Sequence, residues 1–407
     1  MPITTRPIRD DEILAFRRAI ARGFGDDVNE EKSLPERFGK LVPLDRTVAA
    51  FDRDDIVGTL AGFPFEVTVP GGVSVPMVGT TMVTVAATHR RQGTLTAMMR
   101  DHLADARSRN EPLAGLWASE SIIYGRFGFG VATEHEEAEM HQTHVSVKGD
   151  VGSVRLVDAA EAARSCPPVY DAARAGRPGM LSRAADWWQY EVLYDPEFAR
   201  DGYSSQRYLV HETGGEIDGY AIYRQKGEWD DGFPNGRVRI RELVAATPEA
   251  HTGMWRFLTS IDLFPRIRYW NLPVDDALRW KVPDHRRVTR KRWDAMHLRV
   301  LDVVAALEAR TYARDGRLTL TVEDPFLPDV GGTFALTVEG GSGSCRRVDP
   351  APTDVMLSVV ELSSLYLGHG HVAPLAEAGR LRGAPVALRD LGRMFRGDVE
   401  PWCEEVF

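Results

Sequence analysis

The chain has 407 residues, 43% hydrophobic and 27% charged, with a formal net charge of −9; at about 150 residues per domain that is two to three domains. No apolar run of about 18 residues appears, so no helix is expected to span a membrane, and the acidic balance argues against nucleic-acid binding, which needs a basic surface. Cys166, Cys345 and Cys403 lie far apart without a Cys-x-x-Cys, which speaks against a disulfide framework or a structural zinc and fits a reducing compartment. The start, MPITTRPIRDDEILAF, has acids where a signal peptide would have its apolar core, so a cytoplasmic protein is expected. An acidic chain suits a cationic small molecule or a lysine-rich peptide, although solubility alone would explain the same charge.

In chain order, Ile13, Phe16 and Ile20 are spaced for a helix over residues 11–22. An acidic loop, GFGDDVNEEKS, follows. Strands are expected at 48–51, 56–65, 67–69 and 73–78, with Gly71-Gly72 as a hairpin signal. TMVTVAA is a further strand, then come a basic turn and a helix over 95–107, with Leu95, Met99, His102, Leu103 and Ala106 on one face. PLAGLWAS is a strand leading into ESIIYGRFGFG. After the small, polar SVKGDVGS, the order partly recurs: helical stretches through Trp187 and Tyr190, the hairpin YLVHETGGEIDGYAIYR, the strand RVRIRELVAAT and the helix EAHTGMWRFLTSIDL. The charged stretch DHRRVTRKR is expected to mark a second boundary. A strand near 296–301, an alanine-rich helix, the alternating strands RLTLTVED and GGTFALTVEG, VMLSVVELSSLYLG and a last helix complete the chain.

Val-Ala-Ala-Thr occurs twice, at Val85 in VAATHRRQG and at Val244 in VAATPEAHTG, each time ending a strand and starting a helix. We read an internal repeat. In the first copy, free N–H groups at the helix start and the helix dipole suit phosphate oxygens. Gly93 permits close approach and Arg90 and Arg91 supply charge. The strand before it, Val83-Thr84-Val85, can hydrogen-bond an extended amide arm. A pyrophosphate joined to an amide arm describes coenzyme A. In the second copy Glu249 stands where it would repel phosphate, and no arginine offsets it.

Val83-Thr84-Val85 with Arg90-Arg91-Gln92-Gly93-Thr94-Leu95 resembles the acyl-CoA signature of the GCN5-related N-acetyltransferases, with leucine where many members have Gly or Ala. THRRQGTLTAMM, WASESIIYGRFGFGVAT, the second unit and the final ALEARTYA and LSSLYLG stretches resemble, over essentially the whole chain, the Eis family of aminoglycoside and lysine N-acetyltransferases. The resemblance implies an α/β (α+β) architecture: a catalytic acetyltransferase domain (1–147), a degenerate second copy (148–290) and a sterol-carrier-protein-like domain (291–407). It implies a homohexamer using acetyl-CoA, with Val83, Thr84, Val85, Arg90, Arg91, Gln92, Gly93, Thr94, Leu95, Thr96, Ser119 and Glu120 at the cofactor. It assigns Tyr124, in S-E-x-x-I-Y-G-R-F-G, as general acid, the terminal carboxylate on Phe407 as general base, and Asp26 to the acceptor amines.

Other readings stay open beside these. Tyr124 also fits a packed aromatic next to Phe127 and Phe129. Asp27, Glu30, Glu404 and Glu405 are additional candidate acids for the acceptor amines, and for them as for Asp26 solvated charge is the competing reading. A covalent acetyl-cysteine route is weakened by the absence of cysteine from the first segment, which leaves Cys403 as its candidate. His369-Gly370-His371 reads as a polar turn rather than a metal site, and LSSLYLG as packing against its sheet rather than holding a lipid. The resemblance implies a cationic amine as acceptor, aminoglycoside-like or a lysine side chain. The alternatives are a non-catalytic lipid- or acyl-CoA-binding protein and an enzyme that acylates peptide amino termini.

Overall fold

In the computed structural model, residues 3–26, 35–149, 152–348 and 351–407 are described. The chain divides into one unit of residues 1–133, 295–401 and 405–407 and another of residues 134–294 and 402–404. The acidic loop's Asp27 and Glu30 lie outside the described residues. Among the described residues no helix is long and apolar enough to cross a membrane.

The first unit opens with β1 (Thr4–Arg6), α1 (Ile13–Phe24) and α2 (Pro35–Leu41), then β2 (Thr47–Asp52), β3 (Asp55–Thr68) and β4 (Ser74–Val85). It continues through α3 (Thr94–Ser108), β5 (Leu113–Trp117), α4 (Ser121–Tyr124) and β6 (Gly130–Val131). Helix α1 buries Phe16 and Ala19 and ends on Gly25, whose φ of 81° is the left-handed cap glycine supplies cheaply. The two strands expected at 56–65 and 67–69 are one: Pro64 lies past Ala61, where β2 stops pairing, so its missing N–H costs no bond on that side. Likewise 73–78 and TMVTVAA form the single strand β4, interrupted only by a bulge at Met82, whose φ is 55°. On α3 the buried face is Met98, Met99, His102, Leu103 and Ala106, while Leu95 is half-buried. Burial pushes the His102 imidazole down to about 4, so it is neutral beside Thr80 Oγ1, 2.9 Å from its Nε2.

Two strands sit elsewhere than the sequence reading placed them. The segment Met296–Val300, expected to open the third region, lies in the first sheet between β5 and β6, in the order β1-β2-β3-β4-β5-(296–300)-β6. Segment β7 (Glu134–His141), expected in the first region, belongs to the second sheet. The 296–300 strand is buried at every position and β7 at 135, 136, 138 and 140, so neither local pattern names a neighbour and only long-range pairing decides them.

The second unit adds β8 (Ser153–Val157), α5 (Ala159–Arg174), α6 (Ala185–Trp187), β9 (Arg207–Thr213), β10 (Glu216–Lys226) and the short pair β11 (Trp229–Asp230) and β12 (Phe233–Pro234). Then come β13 (Arg237–Ala245), α7 (Pro248–Leu258), β14 (Arg266–Pro273) and β15 (Val288–Asp294), in the order β15-β7-β14-β13-β10-β9-β8. The stretch read as a charged boundary is largely β15. Its Arg290 and Arg292 pair across the ladder with Glu136 and Glu134 of β7, which is why charges recur there.

The remainder of the first unit is a five-stranded sheet with Gly316–Glu323 at its centre and helices including Val359–Leu365 and Pro385–Phe395. Helix Val359–Leu365 buries Leu362, Ser363 and Leu365, and Ser363 Oγ accepts the Val300 N–H at 3.0 Å. This sheet's Asp324 meets the fully buried Arg299 at 2.6 Å, and Arg299 also donates to Phe127 O. Removing one partner strands a buried charge. Asp324→Ala is therefore expected to cost about 3–5 kcal/mol, read as a fall in the denaturant midpoint; an unchanged midpoint would show the pair idle.

Candidate active site

Strands β4 and β5 run parallel, and their pairing covers only Met77↔Leu113, Val78↔Ala114 and Gly79↔Gly115. Beyond Gly79, β4 has no further pair on β5, whose other edge is paired with the 296–300 strand from Leu113 to Trp117. On β4's other edge the Ala86 N–H donates to Val57 O at 2.8 Å and Thr84 pairs with Thr59. By ladder alternation the N–H groups of Val83 and Val85 point the opposite way, into the wedge. An open parallel wedge with unspent donors accepts an extended amide chain as a further strand would. The Thr84 side chain faces elsewhere: it is buried, 2.7 Å from Thr59 Oγ1 and hard against Gly23 of α1. Only its backbone is available to a ligand.

The basic turn lies at the wedge's mouth. Arg91 has φ 62° and Gly93 φ 85°, and a Cβ placed on Gly93 would meet nothing within 4 Å. The first intrahelical bond of α3 is Ala97 N–H to Gly93 O at 3.0 Å, so the N–H groups of Thr94, Leu95 and Thr96 are free of helical partners, and no side chain caps them. Gln92 donates to Thr88 O at 3.0 Å and Arg90 Nε to Val85 O at 3.4 Å, which tie the turn down. Among the described residues neither Arg90 nor Arg91 pairs with a carboxylate, so both remain available to an anion. Thr94 is buried, its hydroxyl on His89 O.

The second copy has the same strand–turn–helix with its donors consumed. Pro248 at the start of α7 has no N–H, Thr247 Oγ1 accepts the Ala250 N–H at 3.1 Å, and Glu249 stands in the first turn. The sequence reading noticed the missing arginines but not this cap; Thr-Pro before a helical stretch was its signal.

Past β5, Ser119 and Glu120 are exposed and lead into α4, which carries Tyr124. The Tyr124 ring is buried, edge-on to Phe129 at 6.2 Å, in the core cluster against which Val83, Val85 and Leu95 pack. Burial, then the Glu120 charge, raises its phenol, with Arg126 opposing. It therefore holds its proton at neutral pH.

The chain's end returns to the first unit. The Phe407 ring lies 5.1 Å from Phe65 and 6.4 Å from Phe63, and a Cβ on Gly79 would come within 3.1 Å of it. Gly79 is the last β4 residue paired with β5, so the terminal residue sits at the apex of the wedge. From the sequence, the aromatic at Phe407 suggests a ring that anchors the carboxylate in an apolar setting; that Phe63, Phe65 and Gly79 form that seat was not legible in advance.

Asp26 is exposed just after α1, its N–H on Ala21 O at 2.8 Å, and no described hydrogen bond or ion pair ties it to the residues above. Glu404 and Glu405, candidate acceptor acids with solvated charge as the competing reading, are both buried, and Glu404 Oε2 accepts from Asn271 at 3.0 Å. Cys403 is fully buried. His369 Nδ1 lies 2.9 Å from Glu400 Oε2, and the turn leads into a helix at Val372–Glu377.

Comparison with known proteins agrees with this geometry. The chain matches acetyltransferase (GNAT) domain families over residues 4–132 and 179–300 and a sterol carrier protein domain over 303–404. It is 41% identical over 414 residues to an uncharacterized N-acetyltransferase of Streptomyces avermitilis, covering all of both chains. It is 35% identical over 406 residues to the N-acetyltransferase Eis of Mycobacterium tuberculosis, covering 97% of this chain and 96% of that one. The crystal structure of Eis1 from Mycobacterium abscessus superposes with a TM-score of 0.86 at 28% identity, over 99% of this chain and 100% of that one. With two acetyltransferase-type units and a sterol-carrier-like domain in one chain, the protein is an acetyl-transferring enzyme and belongs to the Eis family of GCN5-related N-acetyltransferases.

Proposed function

We propose that the enzyme moves an acetyl group from acetyl-CoA to the amine of a cationic acceptor, an aminoglycoside-like polyamine or a lysine side chain, by direct attack within a ternary complex. One observation carries the reading: unspent backbone donors on β4 and at the start of α3 flank a single open wedge, with an available arginine pair at its mouth. Val83 and Val85 hold the donor's amide arm, and the turn from Arg90 to Thr96 holds its pyrophosphate through backbone N–H groups, aided by Ser119 and Glu120. One of the strand N–H groups polarises the thioester carbonyl. Tyr124, kept protonated by burial, gives its proton to the departing thiolate. The terminal carboxylate, presented by the seated Phe407 ring, takes the proton from the attacking ammonium. Asp26 draws the acceptor's charge from the first unit's surface.

The test of the function is release of free coenzyme A thiol from acetyl-CoA with a panel of amines: a polyamine, an aminoglycoside, a lysine peptide and a peptide bearing only an amino-terminal amine. Acceptor-dependent release with the multiply charged amines supports the reading; release confined to the amino-terminal peptide overturns its acceptor class. We extend the proposal to a cytoplasmic hexamer, which light scattering of the purified chain checks for assembly.

Binding is expected at one site per chain. Arg90→Ala with Arg91→Ala should weaken acetyl-CoA by about ten- to a hundredfold, two charge-assisted contacts being worth roughly 1.5–3 kcal/mol together. Glu249→Ala should leave it unchanged. Calorimetry showing two sites per chain would contradict the assignment of the second unit as scaffold.

A further inference from the structure

The second unit concentrates positive charge that its fold does not require. Strands β13 and β14 start side by side in parallel, with Arg237 in register with Arg266 and Arg239 with Arg268, and β7 brings His141 opposite Arg266. Alternation sends Val238, Ile267 and Met140 inward to the core and turns this row outward. Neighbouring strands lie about 4.8 Å apart, so like charges in register repel and cost stability. Two successive arginine pairs are not what folding alone selects in a chain of net charge −9.

The row forms one wall of a pocket of about 400 Å³, within the range of small-molecule sites. Its lining holds Arg237, Arg266, Arg268, Arg286 and Arg287, and Glu139 is the one carboxylate there. Part of this charge is spent: Arg237 lies 3.1 Å from Glu228, Arg287 lies 3.5 Å from Asp284, and Arg268 pairs with Glu137. Arg266 and Arg286 are exposed, and among the described residues neither pairs with a carboxylate. Arg266 Nε donates only to the neutral Asn235 Oδ1, at 2.8 Å. The Arg286 N–H donates to Asp284 Oδ1 at 3.0 Å, which fixes the turn that carries Arg286 ahead of β15. His141 and His144 complete the wall, their rings 5.4 Å apart. Burial, then the charges of His144 and Arg266, lower the His141 pKa, so the pocket's own field disfavours a further cation.

We propose that this pocket binds a phosphoryl dianion, free or carried on a small molecule, held by the unspent guanidinium groups of Arg266 and Arg286. Planar guanidinium forks meet phosphoryl oxygens two at a time, and the Thr289 hydroxyl in the lining adds a neutral donor. The site is separate from the vestigial acyl-donor turn: that turn follows the C-terminal end of the nine-residue β13, and the pocket lies at the strand's start. It adds no second acetyl-CoA site, since the capped start of α7 still offers that molecule no phosphate turn.

Phosphate can also meet the Arg90–Arg91 turn. The full chain carrying Arg90→Ala and Arg91→Ala is therefore titrated by calorimetry, with and without Arg266→Ala and Arg286→Ala. The probes are inorganic phosphate and glycerol 2-phosphate, at an ionic strength of about 0.15 M, which screens exposed charges beyond roughly 8 Å. Both probes are expected to bind once per chain, and the added pair of substitutions to weaken them about ten- to a hundredfold, the scale of two charge-assisted contacts. The melting temperature is expected to hold or rise, since repulsion along the row is relieved. Binding of inorganic phosphate without the ester keeps the site and assigns it to the free ion; binding of both assigns it to a phosphoryl group on a carrier. No binding of either probe, binding indifferent to Arg266 and Arg286, or a melting temperature that falls when they are removed overturns the proposal.

Discussion

Adding one glycine after Phe407 is expected to abolish acetyl transfer while acetyl-CoA still binds and the melting temperature holds. The addition keeps every side chain and moves only the carboxylate, by up to about 3.6 Å. Phe407 is seated by Phe63, Phe65 and the bare face of Gly79, so the ring stays while the charge leaves its place. A free α-carboxylate has a pKa of about 3.3–3.7, so it is ionised at neutral pH and able to accept a proton. A carboxy-terminally tagged enzyme with full turnover would remove the carboxylate from the mechanism.

Tyr124→Phe is expected to lower kcat by about 10²–10⁴, the usual worth of general-acid catalysis, with acetyl-CoA affinity nearly unchanged. The substitution keeps the ring against Phe129 and deletes only the hydroxyl. Because burial raises the phenol, the parent's proton is present through neutral pH and lost only on the alkaline side. The alkaline limb of kcat should therefore be present in the parent and absent in the variant. Equal turnover across pH would leave Tyr124 as a packed aromatic, the other reading of its sequence.

What the sequence showed was what local chemistry encodes. The Arg-Arg-Gln-Gly turn, the Gly71-Gly72 hairpin and the strand-to-helix switch at each Val-Ala-Ala-Thr are short-range signals, and the structure has each where expected. Residues 134–141, which fell within the first region, pair into the second sheet, and the strand near 296–301, read as part of the last region, pairs into the first, because a strand's local pattern does not say which neighbour it pairs with. The run 284–292 looked like a solvated boundary because a cross-strand ion-pair ladder and a linker share a composition. An apolar anchor for the Phe407 ring was suggested by its aromatic character, but its partners Phe63, Phe65 and Gly79 lie more than three hundred positions away, without a local pattern to announce them. Tyr124 was singled out by its motif alone, since a buried tyrosine beside two phenylalanines otherwise reads as core.

The most direct test of direct transfer is to mix the enzyme with acetyl-CoA alone and follow both free thiol and the intact protein mass, then repeat with acceptor. Cys403, the candidate for a covalent route, is fully buried, and the general acid and base proposed for the reaction both lie in the first unit. The expected result is no thiol release and no mass change until the amine is added, with intersecting initial-rate lines when both substrates are varied. A burst of one thiol per chain without acceptor, with an acetylated protein and parallel lines, would contradict it.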